Sequence, residues 1–175
     1  MTQKTRFALP RRSFLMVAPA ALMAAACSAG SGGGAHADTA DLKFSDDDWR
    51  RLSEADWKAR LSSSAYSVLR KENTERPFSS QLNDEKRGGV FHCEGCDLAL
   101  FESATKYDSG TGWPSFSDVI QGAVGTKEDN KLWAKRTEYH CARCGGHQGH
   151  LFNDGPAPTG LRYCNNGVAL SFKAA

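Results

Sequence analysis

Hydrophobic and polar residues recur with helical spacing in the stretch that precedes residue 71, and this spacing predicts short helices. Residues 44–52 contain Ser45, a candidate N-cap, followed by three aspartates that suit the first turn of a helix. Residues 53–61 either continue this helix or begin a second one, and residues 62–70 begin another. The tryptophans and the tyrosine of this part are predicted to pack into the core.

The helical spacing has ended by Gly88, and short apolar runs separated by glycine-rich turns replace it. Residues 74–79 are expected to be extended, because Pro77 disfavours a helix in the residue before it. The apolar runs predict strands at 89–93, 98–101, 132–140 and 168–172. The chain is therefore predicted to be mainly β, with short N-terminal helices ahead of a small antiparallel core.

Two C-x-x-C pairs lie where predicted strands turn back, and they are Cys93 with Cys96 and Cys141 with Cys144. Paired spacing of this kind predicts one closed, tetrahedral zinc site with four thiolate ligands. Disulfides are the alternative in an exported protein, but the spacing favours zinc. When the four paired cysteines are assigned to zinc, Cys164 is left without a partner.

The first 37 residues are predicted to be an export signal and linker, which leaves 38–175 as the one folded domain. Arg11 and Arg12 precede an apolar run too short to span a membrane, a pattern typical of twin-arginine signals. We therefore expect an exported protein at the bacterial envelope.

Two processing sites compete within this signal. Cleavage after Ala37 fits the small-x-small rule for ordinary signal peptidase and predicts a periplasmic protein. The alanine-rich run before Cys27 instead resembles a lipoprotein site, and lipid on Cys27 would anchor the chain to the membrane. Only in that second case is a membrane expected as a partner.

The charge balance argues against a nucleic-acid partner. The whole chain has 22 basic and 20 acidic residues, a formal net charge of +2. Residues 1–37 contain four basic and no acidic residues, so their removal changes this charge from +2 to −2. The basic excess that nucleic-acid binding requires is then missing.

Cys164 is the candidate nucleophile, because it is left over once the two pairs are assigned. Arg162 and the two histidines His147 and His150 are nearby in the sequence, and neighbouring cations favour the reactive thiolate. Four thiolates already complete a zinc shell, so the histidines are better suited to acid catalysis than to metal binding. The turn at 110–116 presents two aromatic residues, for which burial in the core is the simplest interpretation.

Taken together, these motifs resemble B-type methionine sulfoxide reductases, the class that acts on the R sulfoxide. The resemblance extends from about Trp49 to Phe172. Its motifs, in chain order, are Thr74-Glu-Arg-Pro-Phe78, Cys93-x-x-Cys96, Gly112-Trp-Pro-Ser-Phe116, Cys141-x-x-Cys144, His147-x-x-His150 and Arg162-Tyr-Cys164-x-Asn166.

The resemblance implies two antiparallel β-sheets with flanking N-terminal helices and a structural zinc away from the active site. It implies that Cys164 is the nucleophile and that Arg162 favours its thiolate. By the same resemblance, Trp113 walls the pocket for the substrate methyl group, and Asn166 helps to position the substrate or neighbouring side chains. The two histidines, His147 and His150, are implied to bind and protonate the sulfoxide oxygen.

One departure from the family concerns recycling of the enzyme. Family members often have a resolving cysteine two residues before the pocket tryptophan, and this chain has Thr111 there. The expected sulfenic acid on Cys164 would then be reduced by an external thiol or a thioredoxin-like donor. The expected substrate is either an oxidised protein or free methionine sulfoxide, and export favours proteins. The alternatives are a zinc-stapled binding module without catalysis and a thiol-disulfide enzyme that uses one of the C-x-x-C pairs.

Overall fold

The computed structural model describes residues 46–131 and 135–175, so the predicted cap at Ser45 and the predicted export signal lie outside the described residues. Within the described part, no helix is both long and apolar enough to cross a membrane. Three short helices open the fold, and their bounds are α1 Asp46–Arg51, α2 Glu54–Arg60 and α3 Ser63–Lys71.

The N-caps explain why the helical part is divided. Ser53 and Asp56 form a reciprocal capping box, in which each side chain accepts from the backbone N–H of the other. Residues 53–61 therefore begin a second helix and do not continue the first. Ser62 is the N-cap of α3, and its side chain accepts a hydrogen bond from the backbone N–H of Ala65.

Antiparallel strands make up two sheets, as the sequence predicts. A three-stranded sheet has the order β2-β1-β9, and a six-stranded sheet has the order β3-β4-β8-β7-β6-β5. The bounds are β1 Gly89–Cys93, β2 Ala99–Glu102, β3 Lys106–Tyr107, β4 Ser115–Phe116, β5 Val124–Asp129, β6 Arg136–Cys141, β7 His147–Phe152, β8 Arg162–Asn165 and β9 Leu170–Ala174.

The predicted strands agree with these bounds to different degrees. The prediction for β1 is confirmed, and that for β2 is displaced by one residue. The strand predicted at 168–172 begins only at Leu170, because residues 167–169 form a 3-10 turn. Of the strand predicted at 132–140, residues 136–140 are in β6, residue 135 is not in a strand, and 132–134 are outside the described residues.

The core lies between the two sheets and is built from aromatic rings. Phe101 of β2 stacks on Phe116 of β4 with a centroid distance of 4.1 Å, and Phe91 of β1 meets the same ring edge-on at 5.0 Å. Tyr139 of β6 contacts Tyr163 of β8 at 5.4 Å. Such aromatic contacts stabilise the core beyond the area they bury. They fix the six-stranded sheet, whose central strands contain the candidate site residues.

Candidate active site and metal centre

The four paired cysteines meet in one buried cluster, as predicted. The sulfur atoms of Cys93, Cys96, Cys141 and Cys144 all lie within 4.8 Å of one another. Two of the separations are 3.7 Å, between Cys93 and Cys144, and 3.4 Å, between Cys96 and Cys141. Tetrahedral zinc with bonds of about 2.3 Å requires sulfur atoms about 3.8 Å apart. The cluster therefore has the donor set and the size of a closed zinc site.

Two hydrogen bonds to sulfur from outside the cysteine set support the same interpretation. The backbone N–H of Gly146 donates to Cys144 Sγ at 3.4 Å, and Gln148 Nε2 donates to Cys93 Sγ at 3.3 Å. Donors of this kind favour thiolates, which are the metal-binding form of cysteine. With four sulfur ligands no coordination position is open, so a metal here would stabilise the fold and take no part in the reaction.

Cys164 lies in the middle of the six-stranded sheet. It is part of β8, and its cross-strand partners are Ser115 on β4 and His150 on β7. Directly opposite residues in antiparallel strands share a face, with Cβ atoms about 4.5–5.5 Å apart. The strand pairing therefore places the candidate acid beside the candidate nucleophile. Gly149 permits this pairing, because a Cβ there would lie 1.9 Å from the carbonyl oxygen of Cys164.

A bulge in β7 brings the two histidines together. Residues three apart on a regular strand point to opposite faces. In β7, however, His147 pairs with His140 and Gly149 pairs with Tyr139, so the pairing register changes by one residue in between. The bulge reverses the alternation of side chains between the two faces of the sheet, so His147 and His150 are on the same face. The centroids of their rings lie 5.4 Å apart. The sequence predicts their cooperation but gives no sign of this bulge.

Each histidine is held by its own buried carboxylate. Asp129 at the end of β5 receives a hydrogen bond of 2.7 Å from His150 Nε2. Glu138 of β6 lies 2.7 Å from His147 Nδ1. The other ring nitrogen of His147 is buried and has no hydrogen-bond partner among residues 46–131 and 135–175. Although burial alone would raise it, hydrogen bonds from His140 and His147 lower the pKa of Glu138 to about 2. The carboxylates orient the rings, a role that no local sequence pattern indicates for Asp129 or Glu138.

Burial also determines the charge state of the two reactive groups. Burial lowers the pKa of His150 below its usual value, and the hydrogen bond with Asp129 opposes this shift. Burial raises the pKa of Cys164, and the nearby charge of Arg162 opposes that shift without overcoming it. Arg162 thus acts in the predicted direction. The expectation of a lowered thiol pKa is nevertheless wrong for the protein without substrate, because removal from water has the larger effect.

Arg162 is fixed in place by an acidic partner. Its Nε and Nη2 atoms donate to the two carboxylate oxygens of Asp154, each at 2.8 Å. Its guanidinium also lies 4.3 Å from the ring centroid of Phe152. Arg162 lies two positions before Cys164 on the same strand, so both side chains are on one face.

A pocket of about 120 Å³ opens over Cys164. This volume suits the end of one side chain. Of the predicted site residues, Trp113, His150, Cys164 and Asn166 line the pocket, whereas His147 and Arg162 are outside its lining. Its lining consists of Thr74, Trp113, Arg136, Gly149, His150, Phe152, Cys164, Asn165 and Asn166.

Asn166 and Trp113 both hold the segment that contains Glu75. The backbone N–H of Glu75 donates to Asn166 Oδ1 at 3.0 Å, and its carbonyl accepts from Trp113 Nε1 at 3.1 Å. The Glu75 carboxylate accepts from the backbone N–H groups of Gly167 and Val168. Asn166 Nδ2 is also occupied, by the carbonyl of Gln148. Asn166 therefore positions the pocket wall, which is one of the two roles predicted for it.

Comparisons with known proteins agree with this site. The profile of the SelR domain matches residues 61–174. A Methanosarcina barkeri protein named peptide methionine sulfoxide reductase MsrB is 54% identical over 122 residues, covering 69% of this chain and 86% of that protein. A Pseudomonas putida protein of the same name is 52% identical over 119 residues, covering 67% and 90%.

One solved structure, described as the crystal structure of the Mis18 'Yippee-like' domain, aligns with a TM-score of 0.39 at 19% identity. The alignment covers 51% of this chain and 98% of that one, and a similarity this low supports no argument about function. The profile match extends over the cysteine cluster and the residues of the Cys164 pocket. The chain therefore belongs to the SelR family of B-type methionine sulfoxide reductases, which are oxidoreductases that act on methionine sulfoxide.

Proposed function

We propose that this protein reduces the R sulfoxide of methionine, in proteins and as the free amino acid, with Cys164 as its nucleophile. One observation carries the proposal. Among the described residues, Cys164 is the single cysteine outside the buried cluster, and it faces a histidine across the strands at the base of a pocket. A binding module without catalysis would have no use for this arrangement.

The proton balance of the reaction follows from the charge states of the site. Because the pKa of Cys164 is raised and the pKa of His150 is lowered, the pair holds one proton at neutral pH, and this proton is on the Cys164 thiol. His150 takes that proton from Cys164 as the sulfur attacks the sulfoxide sulfur, and then donates it to the sulfoxide oxygen. The attack forms a bond between the Cys164 sulfur and the substrate sulfur. As the protonated oxygen moves to Cys164, this S–S bond and the substrate S–O bond break and a new S–O bond forms on Cys164. The products are methionine and a sulfenic acid, and no further proton is required.

His147 serves the same oxygen through a second contact. Its Nδ1 is occupied by Glu138, and its Nε2 is buried and has no partner within the described residues. Because Nδ1–H donates to the Glu138 carboxylate, the Nε2 of the neutral ring is an acceptor. A buried polar atom without a partner is costly, and the sulfoxide oxygen would satisfy this one when it is protonated and its hydroxyl donates to Nε2. Two imidazoles fixed on one face can thus bind the sulfoxide oxygen while its charge develops.

Selection of the R sulfoxide depends on the opposite side of the pocket. Trp113 is an apolar wall, and its indole N–H is already occupied by the carbonyl of Glu75. The substrate methyl group suits this wall, and the sulfoxide oxygen suits the histidines. The S sulfoxide would place the methyl group against polar donors, and the donors would remain unpaired.

Recycling requires a reductant from outside the chain. Thr111 interacts with Cys164 but has no thiol with which to resolve a sulfenic acid. The other cysteines of the described residues are in the cluster. We assign the cluster to one structural zinc ion and the recycling to an external thiol or a thioredoxin-like donor.

We also propose that residues 1–37 direct export, so that the domain works at the bacterial envelope and contacts the membrane only if Cys27 is lipidated. The support is the twin-arginine pattern of the sequence. Fractionation of cells that express the full chain or its Arg11→Lys/Arg12→Lys variant tests this, and an unchanged distribution would contradict it.

The decisive experiment for the activity uses separated R and S sulfoxides of N-acetylmethionine. The protein should reduce the R form with a thiol reductant, and Cys164→Ser should lose this activity while retaining its metal content. Equal reduction of both forms would contradict the proposed pocket. Failure to reduce either form, with ligand binding intact, would favour the binding module.

A further inference from the structure

Phe78 is the one large hydrophobic side chain that the described residues expose, with 73% of its surface accessible. Single exposed apolar residues are common and need no explanation on their own. The surroundings of Phe78 are different, because the backbone is specifically arranged to hold the ring there.

The backbone of Phe78 is in a conformation that bulky residues avoid. Its φ is +61°, in the left-handed region, where a phenylalanine is strained. Its N–H donates to the carbonyl oxygen of Gly112 at 2.7 Å. Gly112 has a φ of +90°, and a Cβ there would lie 2.8 Å from the Phe78 ring. Glycine is needed at 112 because the Phe78 ring packs against the turn that precedes Trp113.

Phe78 belongs to a segment that joins two cavities. Thr74, at its start, lines the catalytic pocket, and Phe78, at its end, lines a groove of about 240 Å³. Trp113 lines both cavities and is the wall between them. The groove therefore begins where the catalytic pocket ends.

The groove combines the exposed ring with polar groups. Its remaining lining consists of Asn83, Asp84, Lys86, Lys106, Tyr107, Asp108, Gly112 and Pro114. Both signs of charge are present, so the groove selects neither acidic nor basic ligands. An apolar contact with polar groups around it suits an extended polypeptide, whose backbone needs donors and acceptors.

We propose that Phe78 and this groove bind the residue next to an oxidised methionine in a polypeptide substrate, with a preference for an apolar neighbour. The inference rests on the proposed function of the pocket. When a methionine sulfoxide within a polypeptide occupies the pocket, the main chain must leave the pocket at its rim. Because Trp113 lines both the pocket and the groove, the main chain then passes over Phe78. Free methionine sulfoxide fills only the pocket and does not reach the ring.

The test compares two R-sulfoxide substrates, N-acetylmethionine sulfoxide and a pentapeptide with leucine on both sides of the oxidised methionine. Phe78→Asn removes the ring while tolerating a positive φ, so the fold is retained. Phe78→Tyr is the matched control, because it keeps the ring. We expect Phe78→Asn to reduce the ratio of peptide to single-residue kcat/KM about tenfold, mainly through the peptide KM. Phe78→Tyr should keep that ratio within about twofold.

Two results would overturn the inference. An unchanged ratio in Phe78→Asn would show that the ring does not contact the peptide. Equal losses for both substrates would show that Phe78 supports Trp113 and does not bind a neighbour. Failure of the wild-type protein on both substrates would be a failure of the proposed function itself, and peptide binding to Cys164→Ser then shows whether the groove binds peptides without chemistry.

Discussion

Gln148 Nε2 donates a hydrogen bond of 3.3 Å to the sulfur of Cys93, and its Oε1 accepts one of 3.3 Å from Asn165 Nδ2. The side chain is fully buried at the bulge of β7. Asn165 follows Cys164 directly and also accepts a bond of 2.7 Å from Tyr139. One buried amide thus connects the cysteine cluster with the strand that contains Cys164. Networks of this kind fix the geometry of neighbouring groups when every member is satisfied.

The substitution Gln148→Leu should therefore weaken both ends of this connection. Loss of the two bonds leaves buried polar atoms less satisfied, and we expect a loss of about 1–3 kcal/mol in the free energy of unfolding. Metal release to a chromophoric chelator should become faster, because the Cys93 thiolate loses a donor. Gln81→Leu, which changes an exposed glutamine, is the control. Unchanged stability and release in Gln148→Leu would show that the amide only fills space.

Removal of one cluster cysteine tests the structural role of the metal. Cys141→Ser should lose the metal and have a lower melting temperature. Any loss of activity in this variant would follow from the loss of stability. The reason is that thiolate-bound zinc contributes about 10–16 kcal/mol to folding in small zinc peptides. Metal analysis and thermal unfolding are the measurements. A variant without metal but with an unchanged melting temperature would contradict a structural role.

The sequence predicted the cysteine cluster better than it predicted the strands. Cysteine pairs are visible because their spacing is local and their chemistry is narrow, and Cys141 and Cys144 are placed as expected. Strand β7 was missed because Gly149 lacks strand propensity and its neighbours are polar. Its residues are fixed by pairing with β6 and β8, a tertiary effect that a single sequence does not show.

The same limit applies to the partners of the histidines. The spacing of His147 and His150 suggested joint chemistry, but the bulge that unites them depends on strand register. Asp129 lies 21 positions from His150 in the sequence, so no local pattern could connect them. The charge state of Cys164 was also not predictable, because it depends on burial.

The pH dependence of kcat/KM should have a broad plateau. The active form has one proton shared by His150 and Cys164, so activity falls when the pair gains a second proton or loses its only one. The lowered histidine pKa moves the acid limb below the usual value of 6.5, and the raised thiol pKa moves the alkaline limb above 9.0. Initial rates across this range are the measurement. A limb centred near neutral pH would contradict the shared proton.

Asp129→Asn should move the acid limb further down. Asp129 raises the pKa of His150 through its hydrogen bond and its charge, whereas burial, Arg136 and His147 lower it. Without the carboxylate only the lowering effects remain, so His150 stays neutral to a lower pH. The turnover number should also fall, by less than the roughly 100- to 10,000-fold expected for His150→Ala. A limb that moves upward or stays in place would show that Asp129 does not control this histidine.

The last prediction concerns the fate of the oxidised nucleophile. Thr111 interacts with Cys164, and its hydroxyl continues through Ser109 to Ser115 by contacts of 2.8 Å each. Hydroxyl groups can hold a sulfenic acid by hydrogen bonds but cannot condense with it. One turnover of the full chain without reductant should therefore leave a sulfenic acid on Cys164 that a dimedone probe labels. Thr111→Cys should instead form a disulfide between Cys164 and the introduced thiol, which consumes two thiols and prevents labelling. Cys27→Ser should behave as the wild type, because recycling is assigned to an external donor. A disulfide between Cys27 and Cys164 in the unsubstituted chain, formed within one turnover, would overturn that assignment.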